Sequence, residues 1–385
     1  MDQSLAYTHL ETQPVWIDTI NKLDPLLTQF MRQPAVAVDT ESDSLYSYFE
    51  KVCLIQLSTA DQDYLIDPLA VDVSGLAPLF ASRTIQKVFH AAEYDFLSLK
   101  RDYGFTFHHL FDTMLAARVL GWSQYGLGTL LKQYFGVELD KRFQRYNWSQ
   151  RPLSRDALQY ARLDTHYLLK LRDTQLEELQ RRHRLREAEE AFERLTHVEP
   201  TLKAFDAEDF WRVKNARSLE PQQQTILREL FIVRDAVARR IDRPPFKVMN
   251  DSVLVALAQA QPHDEDSLKG VKGVGANLVR HNHAEILAAI QRGQSLPPPS
   301  PPTNHHLRPD DRILNRYEEL RQWRNNLAAK RGVEPDVIMN NQTLMNIARR
   351  NPRSMKTLTR IGVLGDWQRE TYGEKLLQVL KETED

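Results

Sequence analysis

Residues 35–41 read Ala-Val-Ala-Val-Asp-Thr-Glu. Four small or β-branched apolar residues predict a short buried strand. The two acids that follow, Asp39 and Glu41, share one face, because side chains alternate along a strand. Working outward, further β-rich runs occur at 52–58, 64–66 and 88–89, with turn-like polar segments between the earlier ones. From Glu93 onward helical periods alternate with one more extended run near Leu110-Phe111. Strands first, then mixed helices and strands, predict an α/β domain over residues 1–200, its mixed sheet antiparallel on one side.

The chain has 385 residues, 51 Lys plus Arg against 52 Asp plus Glu, with 42% hydrophobic and 27% charged residues. That is an ordinary globular composition with room for two or three domains. No stretch approaches the ~18 apolar residues of a membrane span. The opening Met-Asp-Gln-Ser, with acids at Glu11 and Asp18, lacks the basic and apolar regions of a secretory signal, so a cytoplasmic protein is expected. A single cysteine, Cys53, excludes an intrachain disulfide and a cysteine-based zinc site. Charge is uneven: residues 1–200 carry 22 basic and 28 acidic side chains, residues 201–385 carry 29 and 24. The second half therefore suits a polyanionic partner better.

Pro297-Pro298-Pro299-Ser300-Pro301-Pro302 and the polar residues up to Pro309 predict an extended, semi-rigid linker over 294–309. The segments flanking it repeat each other at a constant offset of 90: Arg234 and Arg324, Pro245 and Pro335, Val248-Met249-Asn250 and Ile338-Met339-Asn340, Gly275 and Gly365. They predict two related small all-α domains, 206–293 and 310–382, with N-caps at Asn250 and Asn340. Gly273-Val274-Gly275 reads either as a turn between helices or as backbone N–H groups offered to a phosphate. No P-loop motif occurs anywhere in the chain.

Four further positions invite chemistry. Asp95 follows the 88–89 strand on the first turn of a helix, where an acid also suits the helix dipole. His90, five residues earlier, reads as a metal ligand or as a hydrogen-bonded histidine at a strand end. Tyr160 and Asp164 stand at i and i+4 on a helix that Ser154 caps, so they project from one face. Each pattern alone is common in a chain with 52 acids; their order is the stronger signal.

Asp-x-Glu on a first strand, Asp after a later strand and Tyr-x-x-x-Asp on a downstream helix resemble the exonuclease motifs of the DEDD superfamily, in its tyrosine branch. The wording around them is similar to ribonuclease D: Val36-Ala37-Val38-Asp39-Thr40-Glu41, Leu54-Ile55-Gln56-Leu57, Val88-Phe89-His90-Ala91-Ala92-Glu93-Tyr94-Asp95, Phe111-Asp112-Thr113, Lys141 with Gln144, Trp148 with Arg151-Pro152-Leu153, and Tyr160-Ala161-Arg162-Leu163-Asp164. His90-x4-Asp95 departs from the Asn-x3-Asp of the wider superfamily and agrees with the ribonuclease D subgroup. The two repeats resemble HRDC domains, the second copy less closely.

The resemblance implies a ribonuclease-H-like exonuclease domain followed by two HRDC domains, and a 3′→5′ exoribonuclease that releases 5′-mononucleotides, with tRNA precursors as substrate. The alternatives are a 3′→5′ DNA exonuclease of the same chemistry and a non-catalytic RNA-binding protein. It further implies that Asp39, Glu41, Asp95 and Asp164 hold metal, Asp39 bridging two ions, and that Tyr160 orients the attacking water or, if its pKa is lowered, accepts its proton. Four convergent carboxylates cannot all stay ionised without cations. Hard oxygen ligands point to Mg²⁺ or Mn²⁺, two ions clamping an in-line displacement. RNA with a free 3′ end is the expected partner, with neither a membrane nor an obligate protein partner indicated. Arg234, Arg239, Arg240 and Arg243 in the first copy and Arg321, Arg324, Lys330 and Arg331 in the second are expected to meet the RNA, the linker holding the copies apart in an open arrangement.

Overall fold

The computed structural model describes residue 10 and residues 12–201, 204–301 and 310–383. A six-stranded sheet organises the first domain: β1 (Val15–Ile17), β2 (Ala35–Ser42), β3 (Val52–Ser58), β4 (Asp63–Ile66), β5 (Gln86–Phe89) and β6 (Leu110–Asp112), in the order β1-β4-β3-β2-β5-β6. β2 and β4 flank β3 antiparallel, whereas β2, β5 and β6 run parallel and β1 joins β4 parallel. The sheet is thus mixed, with its antiparallel strands to one side, as the sequence predicts.

Helices α1 (Ile20–Phe30), α2 (Ala77–Ala81), α3 (Glu93–Tyr103), α4 (Thr113–Leu120), α5 (Leu127–Phe135), α6 (Arg155–His166), α7 (Leu168–Arg181) and α8 (Leu185–Thr196) complete the domain. The charged stretch from Arg162 to Arg194 is divided among α6, α7 and α8, with breaks at Tyr167 and around His183, whose φ is 56°.

β2 is central, and its Val36, Ala37 and Val38 are wholly buried. It runs four residues beyond Val38. Its parallel neighbour β5 pairs only with Ala35, Val36 and Ala37 before the chain turns into α3. Asp39 to Glu41 therefore pair with β3 on one side and with no strand on the other. The carboxyl ends of parallel strands are where α/β sheets leave room for a ligand.

The first repeat comprises α9 (Pro221–Arg240), α10 (Pro245–Val248), α11 (Asp251–Ala260), α12 (Glu265–Lys269) and α13 (Ala276–Ser295) around its own apolar core. α13 extends to Ser295, into the stretch assigned to the linker, of which residues 302–309 lie outside the described residues. Gly273 takes φ 91° and Gly275 caps α13, which accounts for both glycines as turn residues. Asp43–Lys51, the connection from β2 to β3, belongs with this unit. Tyr48 donates its hydroxyl to Asp235 (2.9 Å), and the Tyr48 and Phe49 N–H groups donate to Asp242 (2.9 and 3.0 Å).

The second repeat comprises α14 (Asp311–Arg331), α15 (Pro335–Ile338), α16 (Asn341–Arg350), α17 (Met355–Ile361) and α18 (Asp366–Glu382), and it forms one unit with the sheet domain. The offset of 90 holds in detail. Asn250 and Asn340 cap α11 and α16, left-handed Gln261 and Asn351 end them, and Asp264 and Ser354 open the next helices through capping boxes.

Three of the basic residues assigned to RNA are engaged elsewhere. Arg234 is buried and donates through Nη1 to the Met249 carbonyl (3.2 Å) and Asp251 (2.7 Å). Arg324 makes the equivalent bonds to the Met339 carbonyl (2.9 Å) and Asn341 (2.8 Å). Both fasten the end of one short helix to the start of the next. Arg331 pairs with the buried Glu187 of α8. Arg239, Arg240, Arg243, Arg321 and Lys330 are exposed.

The open arrangement expected from the linker also fails for the second repeat, which docks on the sheet domain. Arg118 of α4 pairs with Glu334 and Asp336, and Glu190 of α8 accepts the Trp367 N–H at 2.6 Å. Val337 packs against the sheet domain's core. Gly121, at φ 77°, lies so close to the Gly332 carbonyl that a Cβ there would collide with it.

Candidate active site

Three elements meet at the end of β2. Asp39 and Glu41 extend from that strand on one face, opposite Gln56 and Leu54 of β3. α6 packs across β2, β3 and β4. Its buried face presents Tyr160 and, one turn on, Asp164. One carboxylate oxygen from each of Asp39, Glu41 and Asp164 lies within 4.8 Å of the others. Asp95, buried on the first turn of α3, accepts the hydroxyl of Thr40 and also the Thr40 backbone N–H. Asp39, Glu41, Tyr160 and Asp164 thus come together, with Asp95 reaching them from the side.

The register of α6 is fixed by a buried polar network. Asp63 of β4 takes the Arg162 guanidinium, His166 (2.8 Å) and the Ser58 hydroxyl (2.7 Å), while Ser58 also pairs with Thr165 (2.7 Å). Burial alone would raise the Asp63 carboxyl; these partners, led by His166, hold it below its ordinary range. Tyr160 is wedged between Phe143 and Trp148, with ring centroids 5.3 and 6.2 Å away. The segment carrying Trp148 is anchored by Arg151, which grips Asp67 through two bonds (2.6 and 2.7 Å) and reaches the Cys53 carbonyl.

The electrostatics are those of an anionic cluster short of counter-charge. As residues, Asp39 and Glu41 reach solvent in part, but their carboxyl groups are enclosed. Burial first, then the charges of Asp95, Asp164 and Glu41, push Asp39 well above the usual carboxylate range. Burial followed by Asp164 and Asp95 does the same to Glu41, and burial followed by Asp95 to Asp164. Burial pushes Asp95 up to about 7, against the pull of the Thr40 hydrogen bonds. Acids in this state take protons unless cations replace them. An all-oxygen donor set with oxygens this close suits a hard divalent cation, so the residues fit the metal that the sequence implies.

Tyr160 shifts upward, through burial and then Asp164, Glu41 and Asp39. Both causes favour the protonated phenol while the neighbouring acids carry charge without cations. His90 is outside the carboxylate cluster. Its Nδ1 pairs with the Thr113 hydroxyl (2.9 Å), which itself donates to the Phe89 carbonyl (3.0 Å), and burial lowers its pKa. It is the hydrogen-bonded strand-end histidine of the two readings.

Two contributors were not foreseen. Thr40 looked like the spacer of an Asp-x-Glu pattern, yet its hydroxyl ties β2 to α3. Asp112 is wholly buried, caps α4 through the Met114 and Leu115 N–H groups (both 2.9 Å) and accepts the Ala92 N–H (2.8 Å). That last bond secures the turn at Ala91, whose φ of 62° is unusual for a residue with a side chain. The Asp-Thr pair after a strand is an N-cap signal, but nothing local shows that it also holds the turn before α3.

A family model described as 3′-5′ exonuclease matches residues 14–180, and the HRDC domain model matches 223–290 and 313–380. The exosome complex exonuclease RRP6 of Saccharomyces cerevisiae is 32% identical over 298 residues, covering 73% of this chain and 40% of the relative. The chain thus spans less than half the length of that protein. Ribonuclease D of Gluconacetobacter diazotrophicus is 30% identical over 288 residues, covering 74% of this chain and 73% of the relative. The crystal structure of the catalytic core of RRP6 from Trypanosoma brucei superposes with a TM-score of 0.69 at 29% identity, over 75% of this chain and 82% of that one. The class is a 3′–5′ exonuclease domain followed by two HRDC domains. Within that class, the chain belongs to the ribonuclease D family of 3′–5′ exoribonucleases.

Proposed function

We propose that this chain trims RNA from a free 3′ end by hydrolysis, one 5′-mononucleotide at a time, using two Mg²⁺ or Mn²⁺ ions held by Asp39, Glu41, Asp95 and Asp164. The observation that carries this reading is the convergence of three carboxylate oxygens within 4.8 Å beside Tyr160 and Asp95. Divalent cations there would let the buried acids ionise together and would offset the charge that builds on the scissile phosphate. Asp39, on the central strand, would be the shared ligand; Glu41 and Asp164 would complete the close triad, and Asp95 would support it from α3. Tyr160 orients the attacking water through a hydrogen bond.

The names ribonuclease D and exosome exonuclease, borne by the relatives, support RNA as substrate. Among RNAs, tRNA precursors with unprocessed 3′ ends are the proposed class, handled in the cytoplasm. Among the described residues no helix is long and apolar enough to cross a membrane. The domains divide at 1–200, 206–293 and 310–382, and the exposed Arg239, Arg240 and Arg243 are the first repeat's contribution to RNA binding.

The test is digestion of a 5′-labelled RNA oligomer with its 3′ end free or phosphorylated, and of the matching DNA, with Mg²⁺, Mn²⁺ or chelator. The reading expects a stepwise ladder from the free 3′ end, 5′-mononucleotides as product, slower loss of DNA and no reaction in chelator. Internal cleavage, or equal digestion of the blocked end, would overturn it.

A further inference from the structure

β3 is buried along its whole length, and alternation sets Leu54, Gln56 and Ser58 on one face. The register places them opposite Glu41, Asp39 and Ala37. Two of the three have evident partners. Leu54 joins the apolar cluster that holds Tyr160, and Ser58 is bonded to Asp63 and Thr165. Gln56 is different. It has no exposed surface, and among the described residues neither its Oε1 nor its Nε2 has a hydrogen-bond partner.

A buried amide left unbonded weakens a fold, whereas an apolar side chain of similar size would fill the same space without that penalty. The polar group that the register sets directly across from Gln56, on the same face, is the Asp39 carboxyl. Directly opposed residues of an antiparallel pair have Cβ atoms about 4.5–5.5 Å apart, so the longer glutamine side chain can reach the shorter aspartate. An amide also suits the place. It donates to a carboxylate without adding charge to a site that must receive cations, which a lysine or arginine would repel. Groups that hydrogen-bond a metal-binding carboxylate fix its rotation and tune its affinity.

We propose that Gln56 is a positioning residue: with cations bound, its Nε2 donates to the Asp39 carboxylate and holds that ligand in its coordinating orientation. This rests on Asp39 being a cation ligand, as proposed above.

The test is Mn²⁺ binding by titration calorimetry on the full chain, with wild type, Asp39→Asn, Gln56→Met and Gln56→Leu, alongside the thermal midpoint of each metal-free protein. The expected result for both Gln56 variants is about tenfold or greater loss of Mn²⁺ affinity, with a midpoint equal to or above wild type. On a short RNA, kcat should fall while KM stays within twofold. A purely packing role would instead lower the midpoint and leave Mn²⁺ affinity unchanged, and that result would overturn the proposal. If wild type and Asp39→Asn bind Mn²⁺ alike, the ligand assignment itself has failed. A measurement on the unsubstituted protein guards against variants that do not fold: the Gln56 side-chain amide resonance should move when Mg²⁺ is added, and a stationary resonance at saturating Mg²⁺ would also overturn the proposal.

Discussion

The Thr40 hydroxyl donates to Asp95 Oδ1 at 2.5 Å, tying the strand that carries two of the site's acids to the helix that carries a third. A hydrogen bond to a charged acceptor is worth about 1.5–3 kcal/mol. Thr40→Val keeps the shape and loses the bond. It should lower kcat by roughly ten- to a hundredfold, and Thr40→Ser should restore most of it. Single-turnover rates on a short oligomer check this.

The second expectation concerns α6. Arg162→Met leaves Asp63 buried and deprived of its guanidinium partner, a change that costs about 3–5 kcal/mol in comparable buried pairs. The pH sign follows from the direction of the Asp63 shift. A carboxyl held below its unfolded value stabilises the fold at pH above the ordinary carboxylate pKa, and loses that contribution as pH falls through the folded value. Asp63→Asn should therefore flatten the acid limb of the thermal midpoint against pH, measured by circular dichroism from pH 7 to pH 3.

Arg331 and Glu187 join the second repeat to α8, and Glu187 is almost wholly buried. Arg331→Met should destabilise the protein by about 3–5 kcal/mol, and adding Glu187→Leu should recover part of that loss, because the orphaned charge goes with it. Denaturant unfolding of the two singles and the double measures the coupling.

Arg234 and Arg324 bond within their own domains, while Arg239 and Arg243 face solvent. Arg239→Gln with Arg243→Gln should reduce the slope of log affinity for RNA against log salt by about one per lost phosphate contact. Arg234→Gln should lower thermal stability and leave that slope unchanged. Filter binding across a salt series separates the two outcomes.

Much of this was legible in the sequence. Asp39, Glu41, Asp95, Tyr160 and Asp164 each sit at an element boundary or on a clear helical face, and their order is informative even though each pair alone is not. The constant offset of 90 exposed the repeat, down to its asparagine caps. What escaped was non-local. The apolar run that marks β2 stops at Val38, and only pairing with β3 shows that the strand continues to Ser42. β1 is three residues long, too short for a period to show. Arg234, Arg324 and Arg331 have the composition of a solvated helix face. Their burial depends on a carbonyl 15 residues downstream or a glutamate 144 residues upstream, which no spacing rule reveals. Gln56 is one residue of the Leu54-Ile55-Gln56-Leu57 run in the sequence; that its amide lacks a partner among the described residues depends on packing by other elements.

The acids at the end of β2 and on α6 are proposed to hold divalent cations for hydrolysis at an RNA 3′ end. Anomalous X-ray diffraction from crystals of the full chain equilibrated with Mn²⁺ tests this assignment most directly. Anomalous density is expected within coordination distance of the carboxylates of Asp39, Glu41 and Asp164. Clear Mn²⁺ density elsewhere, with none among those three residues, would contradict it.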